Sequence, residues 1–244
     1  REAGRLSGSV AGIGAALRPV VRHAMPKETP ALAAGFGPAL LEMALIDAVC
    51  QATELTFPEA VRHDIFGLAD TATAGLPAEV IRKALAEIEP VRSIALRHTV
   101  GYGSPLEAEP GAANGRPTAL LEVLSDWGVR YLKIKLKGNP EADVTWLRRI
   151  AEVLDRAKAR PGVTLDANEQ YGEADFTEFL RARRNDSALE ALRAGLLYVE
   201  QPFDRAVTLA PEGPRPPSDV PVIIDEADDS DTAFEAALDR GFAG

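Results

Sequence analysis

The spacing of hydrophobic and polar positions changes character along the chain. Up to about residue 90 the pattern is helical. Residues 38–53 carry leucine and alanine on nearly every helical face, which predicts a helix buried on most sides. Residues 76–88, LPAEVIRKALAEI, predict a second helix with one apolar face. From about residue 93 short strand-like segments alternate with helical ones. SIALRHTV, VRYLKIKLK, VTLDAN, LLYVEQP and VPVIIDEA read as strands. Helices are expected at TALLEVLSDWG, from Asn139 and Pro140 onward, from Glu173 to about Ala182, and from Asp231 to Arg240. The helix after Pro140 is expected to bury Val144, Leu147, Ile150, Ala151, Leu154 and Ala157. Residues 103–117, rich in Gly, Pro and Ala, predict a long loop.

Five strand-helix repeats imply a parallel sheet covered by helices. An open doubly wound sheet and an eight-stranded barrel are the two candidate architectures. No Gly-rich phosphate fingerprint follows the strand at 93–100, which weakens the dinucleotide-binding form of the open sheet.

The segment YLKIKLKG puts Leu132, Ile134 and Leu136 on one face of its strand and Lys133, Lys135 and Lys137 on the other. Standing alone, it fits a solvated face of an exposed antiparallel strand. Inside a helix-covered sheet the apolar face must meet the helices, so the lysines point inward. The same parity turns Thr164, Asp166 and Asn168 inward from the third strand, with Val163 and Leu165 outward. Leu197 and Val199 face out and Glu200 in. Val222 and Ile224 face out and Asp225 in, with Glu226 facing the other way. Each acid stands at the C-terminal end of its strand, where barrel enzymes carry their chemistry. Three converging carboxylates repel one another unless a hard cation such as Mg2+ joins them.

Composition narrows the class. A net charge of -10 excludes the basic footprint of a nucleic-acid binder. With a single cysteine, Cys50, there is no disulfide framework and no cysteine zinc site, and a small packed residue is expected there. No apolar run of the ~20 residues needed for a membrane span is expected, and no signal peptide is visible. A cytoplasmic enzyme with no membrane partner is the expectation, although the chain opens on Arg1 and not on Met.

The order KIK, LDAN, VEQP and IDEA resembles the enolase superfamily, in its mandelate racemase and muconate lactonizing branch, from about residue 35 onward. The resemblance implies an α/β fold: a partial (β/α)8 TIM-type barrel, about five of eight strands at 91–244, preceded at 1–90 by the helical remainder of a capping domain. It implies a Mg2+ site built from Asp166, Glu200 and Asp225. Lys135 would be the acid/base group, and Lys133 would hold and neutralise a substrate carboxylate. Asn168 matches the asparagine two residues beyond the first metal ligand. The implied reaction is removal of a proton alpha to a carboxylate through an enediolate, of racemase, epimerase, cycloisomerase or dehydratase type. A small-molecule carboxylate substrate and a homo-oligomer of the full-length protein go with it. Because the family barrel has eight strands, the chain is expected to be part of a longer protein that by itself binds Mg2+ poorly and turns over little or nothing.

Two other readings stay open: a Schiff-base lysine aldolase barrel, and a non-catalytic truncated homologue. Lys137 is expected at the rim, and His23 and His63 on surfaces or in packing. His98 is a possible substrate contact with its face undetermined, and Glu169, Gln170 and Tyr171 follow the first acid toward the site mouth.

Overall fold

The structure is a computed structural model and describes residues 8–71, 76–107, 119–230 and 232–244. The chain divides into two compact units, residues 1–93 and residues 94–244.

The first unit is helical: α1 (Val10–Ala24), α2 (Ala31–Thr53), α3 (Phe57–Arg62), α4 (Leu68–Thr71) and α5 (Ala78–Ala86). Ser9 caps α1 through the amide of Gly12 at 3.2 Å. At α3 a capping box closes on itself, the Glu59 carboxylate accepting from the Thr56 amide and hydroxyl. A small core of Val10, Ala60 and Phe66 is joined by Leu45, Ile46, Val49 and the half-buried Cys50.

Helix α2 departs from expectation in two ways. It is not buried on most sides: Leu32, Phe36, Leu40 and Met43 are exposed, and only Ala34 and Pro38 are buried. Within this unit α2 packs against α1 and α3 along one flank, which leaves the opposite apolar flank uncovered. It is also long and apolar enough to cross a membrane by length and composition, contrary to the expectation that no run reaches that length. Its two acids, Glu42 and Asp47, escape a search for uncharged runs; Glu42 pairs with Arg18 of α1 at 2.8 Å.

The second unit is built of β/α repeats: β1 (Arg97–Val100), α6 (Leu120–Asp126), β2 (Tyr131–Lys135), α7 (Pro140–Arg156), β3 (Gly162–Asp166), α8 (Glu173–Asn185), α9 (Glu190–Gly195), β4 (Leu196–Glu200), α10 (Arg205–Thr208), β5 (Val222–Ile223) and α11 (Ala233–Asp239). All pairings are parallel and the strand order is β1-β2-β3-β4-β5. A doubly wound sheet reverses direction at a switch point; this sequential order has none and is that of a barrel wall. Residues 243 and 244 continue it, the Ala243 amide donating to Val222 and the Ile224 amide to Gly244.

One core lies between the sheet and its helices. Leu132, Ile134, Val163, Leu165, Val199 and Val222 are at most 2% exposed and pack against Leu147, Ile150 and Leu154 of α7 and Phe176 and Phe179 of α8. Each such side chain stabilises the fold by about 1.5–3 kcal/mol. This burial fixes the inward direction of the alternate residues. The predicted loop at 103–117 falls mostly outside the described residues.

The strands are shorter than their apolar runs. β1 begins at Arg97, and the preceding Ile94 and Leu96 are exposed, because strand pairing starts only where Arg97 meets Tyr131. A register shift at Val163/Thr164 takes Leu197 out of the alternation, so it is 45% exposed and lacks the helix cover expected of an outward residue.

Candidate functional site

The inward face of β2 carries the lysines, as the alternation requires. Lys133 Nζ lies 2.7 Å from Asp166 Oδ2 and 2.7 Å from Glu200 Oε1. Lys135 Nζ lies 2.5 Å from Asp166 Oδ2 and 2.6 Å from Asn168 Oδ1. Strand register explains the arrangement: Lys135 is paired with Asp166, and Asp166 with Glu200. One row across the sheet therefore sets a cation beside two anions at the C-terminal strand ends. Further down the interior, Arg97 donates to the Tyr198 hydroxyl at 2.7 Å.

Burial opposes every charge in this row, and ion pairing decides the outcome group by group. Burial by itself would raise the Asp166 carboxyl, but Lys133 and Lys135 outweigh it and hold it below the ordinary range. Burial pulls the Lys133 ammonium down, while Asp166 and Glu200 more than compensate, so it is raised. For Glu200 burial wins and its carboxyl is raised; it also shares a side-chain hydrogen bond with Asp225. Two acidic contacts thus link three strand ends: Asp166 beside Glu200, and Glu200 with Asp225.

Asn168 connects this row to a fourth acid. Its Oδ1 accepts from Lys135 and its Nδ2 donates to Glu226 Oε1 at 2.8 Å. Glu226 was expected on the other face. Regular strand ends at Ile223, and a turn over residues 225–227 breaks the alternation, so Asp225 and Glu226 both reach the site. Glu226 Oε2 is buried without a hydrogen-bond partner. Left-handed backbone clusters here as well, at Asn168 (φ 42°), Glu169 (φ 68°) and Gln201 (φ 39°). Such strain persists where the surroundings hold it and gathers at functional sites.

The neighbouring candidates take other places. His98 shares the register of Leu132, on the helix-covered face and away from the lysines; burial holds its pKa down. Lys137 Nζ sits 4.5 Å from the centre of the Tyr102 ring. Glu169 is held by Arg205 through the backbone amide and two guanidinium contacts of 2.6 to 2.8 Å. Gln170 donates to the Asn168 carbonyl. Tyr171 is buried, and its hydroxyl is bonded to Asp143.

Asp143 escaped the sequence reading because it sits inside an amphipathic helix pattern as an ordinary polar residue. It is fully buried and accepts from the amides of Lys137, Gly138 and Asn139 and from the hydroxyls of Tyr102 and Tyr171. It ties together the segments that follow β1, β2 and β3. Burial raises its carboxyl above the ordinary range despite these bonds. Gln201 escaped because its role appears only in three dimensions.

The donor set suits a hard divalent cation. Asp166, Glu200, Asp225 and Glu226 supply only oxygens, and one buried oxygen, Glu226 Oε2, lacks a partner. Among the described residues, no group of three or more His, Cys, Asp or Glu side chains is arranged around a common metal position. Lys133 Nζ stands between Asp166 and Glu200, 2.7 Å from each.

No protein-family model matches the chain, and no curated protein matches it. Two solved structures are similar to it. One is o-succinylbenzoate synthase from Thermosynechococcus elongatus BP-1, complexed with Mg in the active site, at 20% identity and a TM-score of 0.41 over 64% of this chain and 43% of that one. The other is dipeptide epimerase from Methylococcus capsulatus, complexed with Mg ion, at 26% identity and a TM-score of 0.36 over 55% of this chain and 33% of that one. The chain spans less than half the length of either.

Proposed function

We propose that this chain carries the catalytic half-site of a Mg2+-dependent, enolase-superfamily enzyme that removes a proton alpha to a carboxylate. The observation that carries the reading is the Lys135 ammonium, held between Asp166 and Asn168 in a row of strand-end acids. Asp166, Glu200 and Asp225 would hold the cation. Bound Mg2+ supplies the positive charge that makes so weak a carbon acid ionisable.

The residues divide the remaining work. Lys135 takes the proton at Nζ, which it can do only when its own proton has gone. Lys133 then presents its ammonium to the substrate carboxylate. Asn168 fixes the position of Lys135 through its Oδ1 and is itself fixed by Glu226. Net turnover by this chain alone is expected to be weak, since five strands do not close a barrel. Racemisation, epimerisation, cycloisomerisation and dehydration share the proton-removal step, and the substrate is taken to be a small carboxylate with an alpha C–H.

Exchange of the alpha proton needs only one base and is the test. Incubation in D2O with N-acyl amino acids, dipeptides and sugar acids, followed by proton NMR, is expected to show Mg2+-dependent loss of one alpha signal that Lys135→Met abolishes. Exchange indifferent to Lys135→Met would overturn the assignment. Borohydride trapping of a substrate on a lysine would favour the Schiff-base alternative.

A further inference from the structure

Gln201 follows Glu200 directly, is fully buried and has a left-handed backbone (φ 39°). Every polar group it owns is bonded. Its amide donates to the Ile223 carbonyl at 2.9 Å, and its carbonyl accepts from the Glu169 amide at 2.8 Å. Its side-chain Oε1 accepts from the amides of Asp225 at 2.8 Å and Ala227 at 3.0 Å. Its Nε2 donates to the Phe203 carbonyl at 2.7 Å and to Thr208 Oγ1 at 3.0 Å.

These bonds join the three strand ends that carry the acids. The main chain of Gln201 links the segment after Asp166 to the last pairing of β5. Its side chain holds both ends of the turn bearing Asp225 and Glu226. That turn needs an external hold, because β5 is only two residues long and ladder bonding stops before the acids. A buried amide satisfied at both oxygen and nitrogen is a rigid spacer.

We propose that Gln201 is the positioning residue of the acid cluster: it sets where Asp225 and Glu226 stand relative to Glu200, and so the geometry available to a divalent cation. The cation clause rests on the function proposed above; the clamp on the turn does not.

The test uses the full chain and two variants. Gln201→Met keeps the length of the side chain and removes all four of its hydrogen bonds. Thr208→Val removes one acceptor of Nε2 and leaves the two Oε1 bonds in place. Amide hydrogen exchange by NMR is expected to show protection of Asp225 and Ala227 falling at least tenfold in Gln201→Met and staying within threefold in Thr208→Val. Calorimetric titration with MgCl2 is expected to show Mg2+ affinity following the same split. Unchanged protection in Gln201→Met overturns the proposal. Wild-type chain that shows this amide pattern but binds no Mg2+ refutes the cation reading alone. Should Gln201→Met not fold, Gln201→Glu keeps an acceptor for the two amides. Retained protection there supports the clamp and lost protection overturns it.

Discussion

Lys133 Nζ stands 2.7 Å from Glu200 Oε1, and the same ammonium reaches Asp166 at equal distance, so one lysine bridges two carboxylates from adjacent strands. The lysine and Asp166 are both largely removed from solvent, with side chains 15% and 0% exposed. Breaking a buried pair leaves a charge without compensation, which costs about 3–5 kcal/mol. Lys133→Met is therefore expected to lose about that much stability in urea denaturation without divalent cation. Added MgCl2 is expected to restore part of it, because the cation replaces the missing positive charge. Equal losses with and without MgCl2 would contradict this.

The acid and alkaline limbs of stability should separate by residue. Asp166 is held below its unfolded value of about 3.9. Its contribution is present above that value and disappears as pH falls through the folded one. Lys133 is raised above its unfolded value of about 10.4. Its contribution is complete below that value and is lost as pH rises through the folded one. Glu200 and Asp143 act in the reverse sense: both are raised by burial, so each costs stability as pH climbs past the unfolded carboxylate range. Urea midpoints are expected to fall less steeply below pH 4 in Asp166→Asn than in wild type. They should fall less steeply above pH 10 in Lys133→Met. Parallel profiles would refute the assignment.

The Asp143 knot should be structural. Asp143→Ala strands three amides, the buried Tyr171 phenol and the half-buried Tyr102 phenol, each buried unsatisfied group costing about 1–3 kcal/mol before relaxation. A loss of at least 3 kcal/mol in urea denaturation is expected. Less than 1 kcal/mol would show that the three segments hold without it.

Gly138 makes a separate prediction. Its φ of +79° suits glycine, and an added Cβ would stand 2.1 Å from the Gln170 carbonyl oxygen. Gly138→Ala is expected to cost more than the ~1–3 kcal/mol of backbone strain alone. It should shift the amide resonances of Asn168–Tyr171 in NMR spectra. A stable variant with unshifted resonances would contradict the close approach.

Much of this was legible in the chain because period-2 alternation is decisive when one face of a strand meets a helix layer. Lys133, Lys135, Asp166 and Glu200 needed only the burial of Leu132, Ile134, Leu165 and Val199 to be placed. Parity failed where strand geometry failed. Glu226 lies past the last regular residue of β5, and Leu197 lies at a register shift. Asp143 and Gln201 were invisible for another reason: their partners are backbone groups and hydroxyls, near and far along the chain, which leave no mark in hydrophobic spacing. α2 was misread because an all-round apolar helix signals burial only if something covers it.

The central claim is that Asp166, Glu200 and Asp225 form a divalent-cation site. Calorimetric titration of the wild-type chain with MgCl2, repeated on Asp166→Asn, tests it most directly. The account predicts saturable binding to wild type, weakened at least tenfold in Asp166→Asn. No Mg2+ binding by a folded wild-type chain, or equal binding by the variant, would contradict it.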